Sequence, residues 1–220
     1  MEKNHAGMLF FTLLNKVIRG ILEKSQKFNF LGNPPIDDHI RNAMGFVRVI
    51  HGFTGENQKG KIYDLGSGGG VPALVLIEKL KEWEFVLIER KQKRADFLFE
   101  AISVLNASER VTIVCDEAEN TARNEKFSFG ADFVTARSFG PPAITAECAC
   151  RLLKLNGFLV VSEPPSDTDR WVHEKLSLTG LTPIKHAKFN DSNFQVLQQS
   201  QQPFDGLPRR AGVTRKRPLW

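Results

Sequence analysis

The alternation of apolar and polar positions divides this chain into a helical leader, a strand-and-helix centre and a basic end. Between Met8 and Ile21, Leu9, Leu13, Val17 and Ile21 recur beside Phe10, Leu14 and Ile18, a spacing that predicts a helix with a wide apolar stripe. Gly32 and Pro34-Pro35 interrupt the pattern. A second helix is predicted from Asp37 or Asp38, with Ile40, Met44, Val47 and Ile50 on one face. After a polar connection from Gly52 to Gly60 the period changes. Strands are predicted in the short apolar run that reaches Asp64, and at Phe85–Ile88, Val111–Val114, Asp132–Thr135 and Gly157–Val161. Between them lie helices over Ala73–Leu80, through Ala95, Phe97, Leu98, Ala101, Ile102 and Leu105, and over Pro142–Leu153. A further helix near Trp171–Leu178 precedes strands at Thr182–Lys188 and Phe194–Gln199, which Asn190-Asp191-Ser192 would join as an antiparallel hairpin at the sheet edge. Continuous apolar strands alternating with helices predict an α/β fold, its mostly parallel sheet covered on both faces. Three segments follow: a helical cap over 1–58, a sheet domain over 59–202 and a tail over 203–220.

One stretch concentrates the chemistry. In Lys61-Ile-Tyr-Asp-Leu-Gly-Ser-Gly-Gly-Gly-Val-Pro72 a strand runs through Asp64 into Gly66, Ser67, Gly68, Gly69 and Gly70, and Pro72 suits the first position of a helix. A turn with so few side chains lets the backbone approach a ligand, which the N–H groups of the next helix can meet. The dinucleotide pattern G-x-G-x-x-G would place its third small residue at 71, where the chain has Val71, so that match fails. Glu89 ends the second strand about twenty residues later, where an acid accepts hydrogen bonds from ribose hydroxyls. Asp116, Glu117 and Glu119 follow the third strand, again at a carboxyl end where ligands collect.

Composition narrows the class. The 220 residues are 41% hydrophobic, enough for a sizeable core, and the net charge of +5 permits a polyanionic partner. The tail adds Arg209, Arg210, Arg215, Lys216 and Arg217, which read either as a solvated terminus or as an arm for phosphate contacts. Cys115, Cys148 and Cys150 are sparse, and Cys148 and Cys150, two apart in a predicted helix, read as small core residues of a reducing compartment; the five histidines show no metal-ligand spacing. The apolar run at Met8–Leu14 is too short to span a bilayer and no small-residue cleavage site follows, so a cytoplasmic, soluble protein is expected.

Asp64-x-Gly66-x-Gly68-x-Gly70 resembles the first motif of Rossmann-like methyltransferases that use S-adenosyl-L-methionine. Together with Leu87-Ile-Glu-Arg-Lys-Gln-Lys-Arg94, Phe97-Leu98, Ala118-Glu119, Val134-Thr-Ala-Arg-Ser138 and the tail Pro208-Arg-Arg-Ala-Gly-Val-Thr-Arg-Lys-Arg-Pro-Leu219, it is similar to the glucose-inhibited division protein B family of small-subunit ribosomal RNA (guanine-N7) methyltransferases. Phe28-Asn29-Phe30 and His39-Ile40 are fainter echoes. The resemblance implies a class I methyltransferase fold, with the cofactor at Asp64, Gly66, Ser67, Gly68, Gly70, Val71, Glu89, Ala118, Glu119 and Arg137, and ribosomal RNA or the small subunit as partner.

Two departures stand out. Asn42-Ala43 replaces the family's Asp-Ser, and Ser162-Glu163-Pro164-Pro165 replaces a Lys-Gly after the fifth strand, which would reverse the local charge. They leave open a small-molecule or protein methyltransferase of the same fold, or a non-catalytic nucleotide-binding module. The sequence offers no triad, metal cluster or Cys–His pair, and no catalytic residue is assigned. Guanine N7 has a free lone pair and no proton, so in-line transfer would need no general base and would rest on positioning.

Overall fold

The computed structural model describes residues 16–56, 58–164, 170–189 and 191–220. Five strands run parallel: β1 (Lys61–Leu65), β2 (Glu84–Ile88), β3 (Val111–Val114), β4 (Ala131–Arg137) and β5 (Leu153–Glu163). The edge hairpin of β6 (Leu181–Phe189) and β7 (Ser192–Gln199) completes a seven-stranded sheet ordered β3-β2-β1-β4-β5-β7-β6, with β7 antiparallel to both neighbours. The chain begins in the middle of the sheet, winds out to β3, then crosses back to β4. That reversal opens a crevice at the carboxyl ends of β1 and β4, the place where open α/β sheets bind ligands.

Strand periodicity sorts side chains onto two cores. Ile62, Phe85, Leu87, Phe133, Val160 and Phe194 face one side and pack with Ile18 and Leu22 of α1 (16–27), Phe46 and Ile50 of α2 (Ile36–Thr54), Leu74 of α3 (Ala73–Lys79) and Leu98 of α4 (Gln92–Val104). Tyr63, Leu65, Val86, Ile88, Val134, Ala136, Leu159 and Val161 face the other, against Ala122 of α5 (Ala118–Arg123) and Ala146 and Cys148 of α6 (Pro142–Cys150). The N-terminal helices therefore pack directly on the sheet, where Phe46 meets Phe194 edge-on with ring centroids 4.8 Å apart.

Several boundaries move for local reasons. Positions 8–15 of the first predicted helix lie outside the described residues, and its described part runs on to residue 27. The second helix opens at Ile36, with Asp37 and Asp38 in its first turn, where the helix dipole favours acids. Pro72 caps α3 instead of beginning it. The helix predicted near Trp171–Leu178 is a short 3-10 turn, Glu174–Thr179. The fifth strand is longer at both ends than Gly157–Val161, because β4 pairs with it from Leu153 to Ser162 and β7 as far as Glu163. The tail lies against α5 and α6, with a single helical turn, α7 (Val213–Lys216).

Candidate donor and acceptor site

A cavity of about 480 Å³ opens at the crevice. The glycine turn contributes Gly66, the end of β2 gives Ile88 to Lys91 and α4 gives Arg94; the end of β3 gives Asp116 to Ala118 and the loop after β4 gives Ser138 to Pro141. Glu89 is 4% exposed. Its Oε2 accepts from the Gly68 N–H at 2.9 Å and its Oε1 from the Lys91 N–H at 2.8 Å. The carboxylate is thereby fixed to the turn, and each oxygen keeps a lone pair for a hydroxyl donor. Gly66 takes φ +68°, and a Cβ there would come within 2.8 Å of the Phe139 ring, so the turn and Phe139 form one close-packed wall.

Of the residues expected at a cofactor, Gly66, Glu89 and Ala118 line this cavity. Asp64, Ser67, Gly68, Gly70 and Val71 are not among its lining residues. Asp64 is buried; its Oδ1 accepts from Thr135 Oγ1 at 2.6 Å, while its Oδ2 has no partner. Burial pushes this carboxyl up to about 6, against the pull of the Thr135 hydrogen bond. The Ser67 hydroxyl donates to the Asp64 carbonyl, Gly70 abuts Leu74, and Val71 belongs to the core. Glu119 turns away from the cavity because the tail claims it: Oε1 accepts from Thr214 Oγ1 and from the Gly212 N–H.

Arg137 points into a second cavity of about 340 Å³, which shares Ser138, Phe139 and Gly140 with the first. Its guanidinium donates to His39 Nδ1 at 2.7 Å, and His39 Nε2 lies 3.1 Å from the Gly32 carbonyl. These two contacts fit one neutral tautomer, with the proton on Nε2. Burial, and secondarily the Arg137 charge, hold the imidazole below its ordinary value. Asn42, Ser162, Glu163 and Arg170 are among its other lining residues. The Glu163 carboxylate is bound by Arg170 at 2.9 Å and by the Trp171 indole N–H at 3.0 Å. The charge reversal expected from Glu163 is therefore offset by Arg170.

The family model described as rRNA small subunit methyltransferase G (GidB) matches residues 12–200. The chain belongs to this family. It is 29% identical over 172 residues to the ribosomal RNA small subunit methyltransferase G of Thermotoga petrophila, covering 74% of each chain. It is 30% identical over 171 residues to that of Thermotoga sp. (strain RQ2), again covering 74% of each. The fold is similar to that of a SAM-dependent methyltransferase from Aquifex aeolicus (TM-score 0.57, 15% identity, 80% of this chain and 97% of that one).

In this member of the rRNA small subunit methyltransferase G family, the tail is docked on the body. Arg209 is paired with buried Glu147 and does not project as a free phosphate contact. Arg123 donates to the Pro208 and Gly206 carbonyls, and Trp220 stacks on His173. Arg210, Arg215, Lys216 and Arg217 are exposed, and Arg215 also lines the first cavity. Sequence reasoning missed Phe139 and Arg170 as lining residues, and His39 as the partner of Arg137, because each depends on contacts between distant segments. The only signal for His39 was its place in a family echo.

Proposed function

We propose that this chain transfers the methyl group of S-adenosyl-L-methionine to N7 of a guanine in small-subunit ribosomal RNA, with the adenosyl group in the larger cavity and the target base in the smaller one. The observation that carries this reading is the adjacency of the two cavities: one holds a fixed ribose-type acid, Glu89, the other an inward-facing cation, Arg137, and a single wall, Ser138 to Gly140, borders both. A donor and an acceptor bound on either side of Phe139 would be neighbours, and methyl transfer needs them in line at short range. The N7 lone pair attacks the methyl carbon while the carbon–sulfur bond breaks, its electron pair passing to sulfur. No proton moves, so no general base is called for. Family membership supports the RNA substrate, and the exposed cations of the tail suit a phosphate backbone. The small ribosomal subunit in the cytoplasm is the partner this reading expects. Among the described residues no helix is long and apolar enough to cross a membrane.

The test is incorporation of labelled methyl from S-adenosyl-L-methionine into small subunits, or into naked small-subunit RNA, prepared from cells lacking this modification. The expected result is one equivalent of 7-methylguanosine per RNA. Labelling of a metabolite or protein fraction with none in RNA would reject the substrate and retain the donor. The opposite charge at Glu163 favours no second substrate class once Arg170 is counted.

A further inference from the structure

Three anchors fix the tail beside the larger cavity. Glu147 of α6 holds Arg209, and Arg123 of α5 holds the Gly206 and Pro208 carbonyls. Glu119, next in sequence to cavity-lining Ala118, holds Gly212 and the fully buried Thr214. The next residue is Arg215, which this anchoring turns into the cavity lining. At the rim its Nη2 lies 3.7 Å from Glu117 Oε2, and the other oxygen of that carboxylate meets Arg90 Nη1 at 3.2 Å. Arg90, Glu117 and Arg215 all line the cavity, so one carboxylate steadies two guanidinium groups, one from the end of β2 and one from the tail. Arg210, Lys216 and Arg217 are solvent-exposed.

Resting on the donor reading above, we infer that Arg215 is a cofactor-binding residue and that the C-terminal tail forms a wall of the donor site as well as a surface for RNA. A planar guanidinium suits the face of a purine, and the purine of the adenosyl group is the planar ring this cavity would hold. Of the four other tail cations, Arg209 is held by Glu147, and Arg210, Lys216 and Arg217 face outward for RNA phosphates.

Calorimetric titration of S-adenosyl-L-homocysteine and S-adenosyl-L-methionine into the full chain tests this. Arg215→Ala is expected to raise Kd about tenfold, with Arg215→Lys intermediate because it keeps the charge and loses the plane. The triple variant Arg210→Ala/Lys216→Ala/Arg217→Ala is expected to keep cofactor Kd within about twofold while binding small-subunit RNA more weakly. Arg215 is partly exposed, so the ligand-free melting temperature of Arg215→Ala should match wild type and exclude unfolding as the cause. An unchanged Kd in Arg215→Ala overturns the inference, as does an equal loss in the triple variant, which would make the effect one of net charge. If the wild type bound neither ligand, the donor reading itself would fall, and this inference with it.

Discussion

Arg209 encloses the carboxylate of Glu147 from three directions: its backbone N–H and Nε reach Oε1 at 2.8 Å each, and Nη2 reaches Oε2 at 2.6 Å. Glu147 is fully buried in α6, a helix whose residues from Pro142 to Cys150 are nearly all buried because the sheet covers one side and the tail the other. Removing one partner of a buried pair strands the other charge. Arg209→Ala should therefore cost about 3 kcal/mol of unfolding free energy, whereas exposed Arg210→Ala should change it by less than about 0.5 kcal/mol. Urea unfolding followed by tryptophan fluorescence separates the two; equal effects would mean that the tail is undocked in solution.

The strands, the covering of the sheet on both faces and the edge hairpin were legible in the sequence because each rests on local periodicity; the order of the strands is a non-local property and came only with the structure. The crevice was legible too, since Gly66 and Glu89 are spaced by a βα unit. The fate of individual charges was not. Glu119 and Arg209 carry the same signals as a ligand-facing acid and a phosphate-facing cation, and only the docking of residues 203–220 onto α5 and α6 reveals that each faces the protein. Glu163 likewise looked like a lone reversal of charge until Arg170, seven residues on, closed against it.

Asp64 and His39 give opposite pH dependence. A carboxyl raised to about 6 in the fold and near 3.8 when unfolded binds its proton more tightly in the native state. Stability therefore rises as pH falls through about 6 toward 3.8, and Asp64 is costly above that range. His39 is depressed, so the unfolded chain protonates first and stability falls as pH drops below about 6.5. Asp64→Asn should be more stable than wild type by up to about 3 kcal/mol at pH 8, with the difference gone near pH 4. The variant should then show the His39 slope uncovered. Chemical unfolding across this pH range checks both; parallel curves for wild type and variant would refute the buried, neutral-prone carboxyl.

Glu89 should matter to ligand affinity more than any other cavity acid, since its oxygens are already aligned, one by the glycine turn and the other by the Lys91 N–H. A hydrogen bond to a charged group contributes about 1.5–3 kcal/mol. Glu89→Ala should thus weaken S-adenosyl-L-homocysteine binding by about 10- to 100-fold, with Glu89→Gln between it and wild type. Asp116→Ala, at the same cavity without comparable anchoring to the turn, should move Kd by less than about fivefold. Similar losses at both positions would place the ribose elsewhere.

The packing of Gly66 on Phe139 makes the last prediction a paired one. At φ +68° an added methyl is both strained and within 2.8 Å of the Phe139 ring. The ring lines both cavities, so a shift that relieves the contact disturbs the wall they share. Gly66→Ala should then abolish cofactor binding at ligand concentrations that saturate wild type. Adding Phe139→Ala removes the clash and leaves the backbone strain of about 1 kcal/mol. The double variant should recover cofactor affinity to within about tenfold of Phe139→Ala alone, as titration with S-adenosyl-L-homocysteine would show. Its methyl transfer should stay low, since Phe139 borders the acceptor cavity as well. Recovery of both functions would make Phe139 a mere filler; recovery of neither would assign the defect to the turn's backbone alone.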